Sequence, residues 1–312
     1  MKKYFLCLLI LQFTPSYPRV KVLLITHSYN RPDLIEIQTK TFRAFLNDDY
    51  EHVIFNDAPN ESMKNQIEEA CKKCGLRCFR IPQELHRDGR TAPGYRHIDG
   101  IQFSLQQLGY NHEGIVGIVD SDLFLLKPFS IEKYMQGYDI AGELQGRENE
   151  NIKIRHLSPI LVFMNMQTLP NKNTLTFEGG NVQGLTCDVG GHTYYYLRDN
   201  PSIRSKFFTL MFLPALKKVI SCNSCTNFSC ATCKEQLINC HFDEAAIKFI
   251  NACPDDNMEF ALDNHFLHYR CGSNWNNKSA EYHAIKSKAL NDYVGELLYT
   301  HYYHMHALQG IY

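Results

Sequence analysis

The chain has 312 residues, 44% of them hydrophobic and 21% charged, enough to bury a large core as one α/β domain or two intimate halves. Its 32 basic residues are balanced by 33 acidic ones, a formal net charge of -1, which gives no electrostatic footprint for nucleic acid. An anionic ligand must therefore be held locally, by a metal or by a few placed side chains.

The N-terminus has a basic start, Met1-Lys2-Lys3, and then a mostly apolar stretch from Tyr4 to Phe13. That reads as a signal peptide or a short anchor over residues 1–16, too short for a comfortable membrane span. Twelve cysteines fit an oxidising compartment better than the cytosol. Asn60-Glu-Ser62, Asn227-Phe-Ser229 and Asn277-Lys-Ser279 are glycosylation acceptor triplets that lean the same way. The expectation is the secretory pathway, in the Golgi or ER lumen, with membrane association through the N-terminus; the alternative is cytoplasmic.

From Val20 to His27 the sequence reads as a strand, followed by the polar loop Ser28-Tyr29-Asn30-Arg31-Pro32. Asp33 is placed to cap a helix through Ile37, Phe42, Phe45 and Leu46. A second strand, His52 to Asp57, ends in a carboxylate; residues 61–74 form a helix, and Leu76 to Ile81 a short strand. After the basic, glycine-containing loop from Leu85 to His97, residues 97–109 form another helix. Strands alternating with helices of this length imply right-handed crossovers and a mostly parallel sheet. No Gly-x-Gly-x-x-Gly follows the first strand, which disfavours a dinucleotide fold.

The most informative stretch is Gly114-Ile-Val-Gly-Ile-Val-Asp120-Ser121-Asp122-Leu-Phe124, a buried strand that ends in two carboxylates one residue apart. Ligands of such sheets bind beyond the carboxyl ends of the strands. Two neighbouring carboxylates repel unless a cation lies between them, which suits a hard divalent ion with phosphate oxygens as further ligands. Capping of a turn is the competing reading. Downstream, Tyr138 to Glu143 and Ile160 to Asn165 read as strands, and Thr186 to Gly191 as the start of a helix carrying Tyr194, Tyr195 and Tyr196.

This order of features resembles the GT-A fold superfamily of glycosyltransferases, across residues 20 to about 275. The resemblance implies a GT-A-like mixed, mostly parallel sheet flanked by helices, with a Cys-rich insertion in the C-terminal half. Residues 17–135 would form a nucleotide-sugar-binding half and 136–312 an acceptor-binding half. The implied activity is transfer of a sugar from a nucleotide-diphosphate donor to a hydroxyl of a glycan, glycoprotein or glycolipid, with Mn2+ or Mg2+ at Asp120 and Asp122. His268, within His268-Tyr-Arg-Cys-Gly272-Ser-Asn-Trp275, stands where such enzymes place a third metal ligand, with His265 as runner-up. The spacing departs from the commonest retaining-enzyme pattern. Thr26, Ser28, Asn30, Arg31, Asp57, Arg90, Arg96 and Ser121 are implied to line the donor site.

For the acceptor hydroxyl, Asp188 before two glycines is the first candidate base and Glu143 the second. Gly179 to Gly184 reads as a mobile loop that admits the acceptor. Cys222, Cys225, Cys230 and Cys233, within the insert 222–241, have the paired spacing of a structural zinc site, and would be disulfides in an oxidising compartment. The rival functions are a metal-dependent nucleotidyltransferase or phosphohydrolase, and a secreted non-catalytic binding module.

Overall fold

β1 (Val22–Ser28) is apolar without alternation because it runs through the middle of a sheet covered on both faces. Val22 and Leu24 pack toward one helical layer, Leu23 and Ile25 toward the other. The computed structural model describes residues 21–86, 93–212, 244–252, 258–262, 264–270, 272 and 279–308. Residues 1–16, Arg90, Trp275 and the cysteines at 222, 225, 230 and 233 lie outside them.

β1 is followed by α1 (Pro32–Phe45), β2 (Tyr50–Asn56), α2 (Glu61–Cys74), β3 (Arg77–Arg80), α3 (Pro93–Ser104), β4 (Ile115–Val119), β5 (Leu123–Leu125) and α4 (Ile131–Tyr134). Then come β6 (Ile140–Glu148), β7 (Lys153–Asn165), β8 (Gly180–Val182), β9 (Leu185–Cys187), α5 (Thr193–Asp199), β10 (Ser205–Phe208) and β11 (Leu210–Phe212). α6 (Glu244–Ala252), β12 (Glu259–Ala261), β13 (Phe266–His268) and α7 (Ala280–Leu308) follow.

Seven strands form the main sheet in the order β10-β6-β7-β4-β1-β2-β3. β1 is parallel to β2 and β4, β2 to β3 and β10 to β6, while β7 runs antiparallel to both its neighbours. The expected mixed, mostly parallel sheet is therefore present, and strands from both sides of residue 135 share it. α1 and α2 cover one face through Phe42, Phe45, Ile67 and Cys71; α3 and α5 cover the other through Ile101 and Tyr196.

A second, antiparallel sheet, β11-β12-β13-β5, is joined to the first by the chain between β4 and β5. Its residues Phe124, Phe260 and Leu267 pack with Leu34 of α1, Phe249 of α6 and Tyr293 of α7. Each such buried side chain contributes about 1.5–3 kcal/mol relative to exposure. No helix among the described residues is long and apolar enough to cross a membrane.

Three local expectations are corrected. Asp33 lies in the first turn of α1 and pairs with Arg31; it is not the cap, because Pro32 already opens the helix. α3 begins four residues before the expected start and gives way to a π-helical stretch at Leu105–Gly109. Gly179 to Gly184 is not an open loop: β8 and β9 form a hairpin whose tip, Gln183 (φ 50°) and Gly184 (φ 87°), has the two positive φ values of a tight hairpin turn.

His52 is buried on β2, and burial lowers its pKa from 6.5 to about 3. The unfolded chain takes up that proton first, so the associated stability is full above about pH 6.5 and is lost as pH falls toward 3, at about 1.4 kcal/mol per pH unit. Urea unfolding at about pH 7.5 and pH 5 should show wild type losing about 2 kcal/mol more than His52→Gln. Equal losses in the two proteins would remove His52 as a source of acid sensitivity.

Candidate metal and nucleotide site

Parallel pairing of β1 with β2 and β4 brings three strand ends to one edge. Ser28 closes β1, Asp57 follows β2, and Asp120-Ser121-Asp122 follows β4. They line one cavity of about 300 Å³ together with His27, Tyr29, Arg96, His97, Asp188, His268 and Gly272. This is the location where an open α/β sheet takes its ligand.

The second sheet supplies what the first cannot. β5 begins directly after Asp122 and pairs with β13 so that Leu123 faces His268. The Tyr269 N–H donates to the Asp122 carbonyl at 2.8 Å. His268 Nε2 thereby lies 3.3 Å from Asp122 Oδ1 and 3.9 Å from Asp120 Oδ2, and one donor atom from each of the three residues falls within 4.8 Å of the others. The expected runner-up, His265, instead faces the Leu262 carbonyl through Nδ1 and packs against Phe129.

Two carboxylates and an imidazole crowd together here, and each shifts the pKa of the others. Burial and the neighbouring Asp122 raise the Asp120 pKa. Burial also works against ionisation of Asp122, but His268 and the Gly272 N–H outweigh it and hold that carboxyl below its usual value. Burial opposes a charged His268, yet Asp122, Glu259 and Asp120 push its pKa up to about 10. Two carboxylate oxygens and an imidazole nitrogen suit Mn2+ or Mg2+. Glu259, 2% exposed, lies 3.4 Å from His268 Nδ1 and is itself paired with Arg270 at 2.7 Å. A carboxylate behind the imidazole is the arrangement that turns the opposite ring nitrogen toward a metal.

Gly272 lines the cavity against Asp122. Its N–H donates to Asp122 Oδ2 at 2.7 Å, and its carbonyl accepts from Arg31 Nη1 at 2.8 Å. A Cβ at Gly272 would lie 2.7 Å from both Cβ and Oδ2 of Asp122. Gly272→Ala should therefore displace that carboxylate and weaken Mn2+ binding by at least about tenfold, read by titration of the ion's paramagnetic signal. Unchanged affinity would show that Asp122 does not bind through this orientation.

The remaining expected residues divide clearly. Asp57 is 6% exposed and gathers donors from Arg96 Nη2 (2.7 Å), His86 Nε2 (2.7 Å) and Gln83 Nε2 (3.3 Å) on one oxygen. Arg96 also stacks over Tyr29 at 5.2 Å, and both line the cavity beside Asp57. Ser28 and Ser121 line the cavity. Asn30 follows them in the half-buried loop and is not among the cavity-lining residues. Arg31 ties the β1 loop to Gly272, Asp33 and Ser287, and so acts as a bolt between the two ends of the chain. Thr26 shares a strand face with Val22 and Leu24 and faces α1, away from the cavity.

Asp188 is exposed and lines the cavity, but it does not start a helix. β9 ends at Cys187 and α5 starts at Thr193, so Asp188 opens the turn between them, its Oδ1 accepting from the Val189 N–H at 2.8 Å. The left-handed Gly190, φ 90°, ends the helix pattern expected from Thr186. Glu143 is half-buried at a bulge in β6, its buried Oε2 without a hydrogen-bond partner among the described residues; burial raises its pKa, with Glu259 adding to the effect. Tyr196 is buried, its hydroxyl donating to the Pro170 carbonyl, whereas Tyr194 and Tyr195 are half-buried. Glu259 and Gln38 escaped the sequence reading. Gln38 had a signal, a polar residue in the apolar stripe of α1 between Leu34 and Phe42.

No protein-family model matches the chain, and no curated protein matches it by sequence. Solved structures do. A mannosyltransferase from Pyrobaculum calidifontis with GDP-Man and Mn2+ aligns over 62% of this chain at 13% identity and a TM-score of 0.40. Core-mannan synthase A from Aspergillus fumigatus, in an Mn/GDP form, aligns over 49% at 9% identity and 0.34. Glucosyl-3-phosphoglycerate synthase from Mycobacterium tuberculosis, with phosphoglyceric acid, aligns over 60% at 11% identity and 0.37. The alignments span 55%, 61% and 69% of those chains respectively.

Proposed function

We propose that the protein is a divalent-cation-dependent glycosyltransferase that moves a sugar from a nucleoside-diphosphate donor to an acceptor hydroxyl. One observation carries the reading: Asp120, Asp122 and His268 converge at the carboxyl edge of the sheet, in the same cavity as Asp57, Ser28 and Asp188. Asp120, Asp122 and His268 would hold a divalent cation, and a cation there would supply neutralisation of the negative charge that builds on a departing diphosphate.

Asp57, with Arg96, His86 and Gln83 fixing one of its oxygens, offers an oriented acceptor for N–H or O–H groups of a base or ribose. Asp188 is exposed, lines the same cavity, and is the group we assign to accept the proton of the acceptor hydroxyl. Glu143 is buried toward Glu259 and His268 and does not line the cavity, which favours Asp188. Glycans, glycoproteins or glycolipids are the acceptor classes that fit this chemistry. The apolar N-terminal stretch and the twelve cysteines favour a secretory lumen as the place of action.

Thermal unfolding of the full chain with each nucleoside diphosphate, with and without Mn2+, tests the reading. The expected result is stabilisation by one nucleotide only when Mn2+ is present, worth about 2.7 kcal/mol at a ligand concentration one hundred times Kd. Folded protein that responds to no nucleotide would overturn it.

A further inference from the structure

The turn that carries the two aspartates lies at the seam between the sheets: β4 ends before it, and β5 leaves from it into the second sheet. Its own closing bond, Leu123 N–H to the Asp120 carbonyl, is 3.2 Å long. Beneath it sits Gln38, 0% exposed on α1. Gln38 Nε2 donates to the Asp120 carbonyl and to the Leu123 carbonyl, both at 2.8 Å. The amide thus spans the Asp-x-Asp turn from end to end.

We infer that Gln38, oriented by Thr26 and His52, is a positioning residue that sets the spacing of Asp120 and Asp122 for a divalent cation. The orientation follows from who can donate to whom. A flipped amide would aim Gln38 Oε1 at two carbonyl oxygens, so the observed sense is required, and Oε1 must accept from elsewhere. It accepts from the Thr26 hydroxyl at 3.1 Å. A hydroxyl can face either way, and His52 removes the choice: its Nε2 lies 3.1 Å from Thr26 Oγ1, while its buried Nδ1 has no hydrogen-bond partner among the described residues. The neutral tautomer with hydrogen on Nε2 therefore donates to Thr26, and donation runs one way, from β2 through β1 and α1 to the turn.

Buried polar chains of this kind are costly unless every member is satisfied, and an aliphatic residue would fill the same space more cheaply. The chain of donors ends at the Asp120 and Leu123 carbonyls, the two ends of the turn. Thr26 and Gln38, lying outside the cavity, act on the site through the backbone alone.

This inference rests on the proposed cation site, and the experiment separates the two. Mn2+ affinity is measured on the folded full chain by paramagnetic resonance for wild type, Thr26→Val, Thr26→Ser and Gln38→Met, with Asp122→Asn as the control. Thr26→Val keeps the shape and removes the hydroxyl, and Gln38→Met removes the amide; each should weaken Mn2+ by about tenfold or more and broaden the bound-ion spectrum. Thr26→Ser should restore wild-type binding, which a merely structural role for Thr26 would not require. Wild-type affinity in folded Thr26→Val and Gln38→Met overturns the positioning role and leaves the cation site standing. Failure of wild type to bind Mn2+, or undiminished binding by Asp122→Asn, overturns the cation site and this role with it.

Discussion

Asp122→Asn should abolish sugar transfer and lower Mn2+ affinity by at least about a hundredfold while leaving the protein folded. The residue is 5% exposed, and its side chain uses its two oxygens for different tasks. Oδ2 accepts the Gly272 N–H at 2.7 Å, and Oδ1 faces His268 Nε2 at 3.3 Å. Asparagine preserves the first contact by turning its carbonyl oxygen to Gly272. It must then present an NH2 group where the cation would bind, so a ligand is replaced by a donor and one negative charge is lost. His268 loses the partner that raises its pKa most and returns toward a neutral imidazole, which spares the fold an unpaired buried charge. Transfer assays, Mn2+ titration and thermal unfolding on one preparation check all three parts. Undiminished transfer would sink the metal assignment.

Gly190→Ala is expected to be the most destabilising of the substitutions considered, by about 4 kcal/mol or more. Gly190 has φ 90°, and a Cβ there would sit 1.9 Å from the Leu157 carbonyl oxygen of β7. The clash is with backbone, so no side-chain rotation relieves it. The turn cannot simply lift, because the Gly190 N–H donates to the Phe177 carbonyl at 2.7 Å and Thr193 Oγ1 accepts from the Leu157 N–H at 2.7 Å. Gly184→Ala is the matched control: its φ of 87° is equally left-handed, but its Cβ would meet nothing within 4 Å. That variant should cost only about 1 kcal/mol, the strain of the backbone conformation itself. Comparable losses in the two variants, measured by denaturant unfolding, would show that close packing on β7 is not what holds the Asp188 turn.

The site was partly legible for a physical reason that these two residues illustrate. Asp122 announces itself because a carboxylate pair breaking an apolar run is chemically conspicuous wherever the chain later goes. Gly190 was noticed only as a neighbour of Asp188, since a glycine's need for positive φ depends on what its backbone packs against. Thr26 shows the opposite error. Its place at the end of the first strand suggested a ligand contact, but strand alternation turns it toward α1, and only its neighbours reveal that direction. The helix expected at Asp188 failed because the chain first completes a hairpin, and hairpin pairing is a contact between segments that local pattern does not contain.

The sequence by itself determined the alternation of strands and helices, the burial of both faces of the main sheet, and the placing of Ser28, Asp57 and Asp120 at strand ends, because apolar periodicity and chain order act locally. It could not determine that β5 would leave the first sheet and pair with β13, nor that this pairing would carry His268 to within reach of the aspartates. Those contacts join residues about 150 positions apart, as Gly272 and Asp122 are. Their geometry is set by packing between two sheets, where the free energy belongs to the assembled core and not to any one segment.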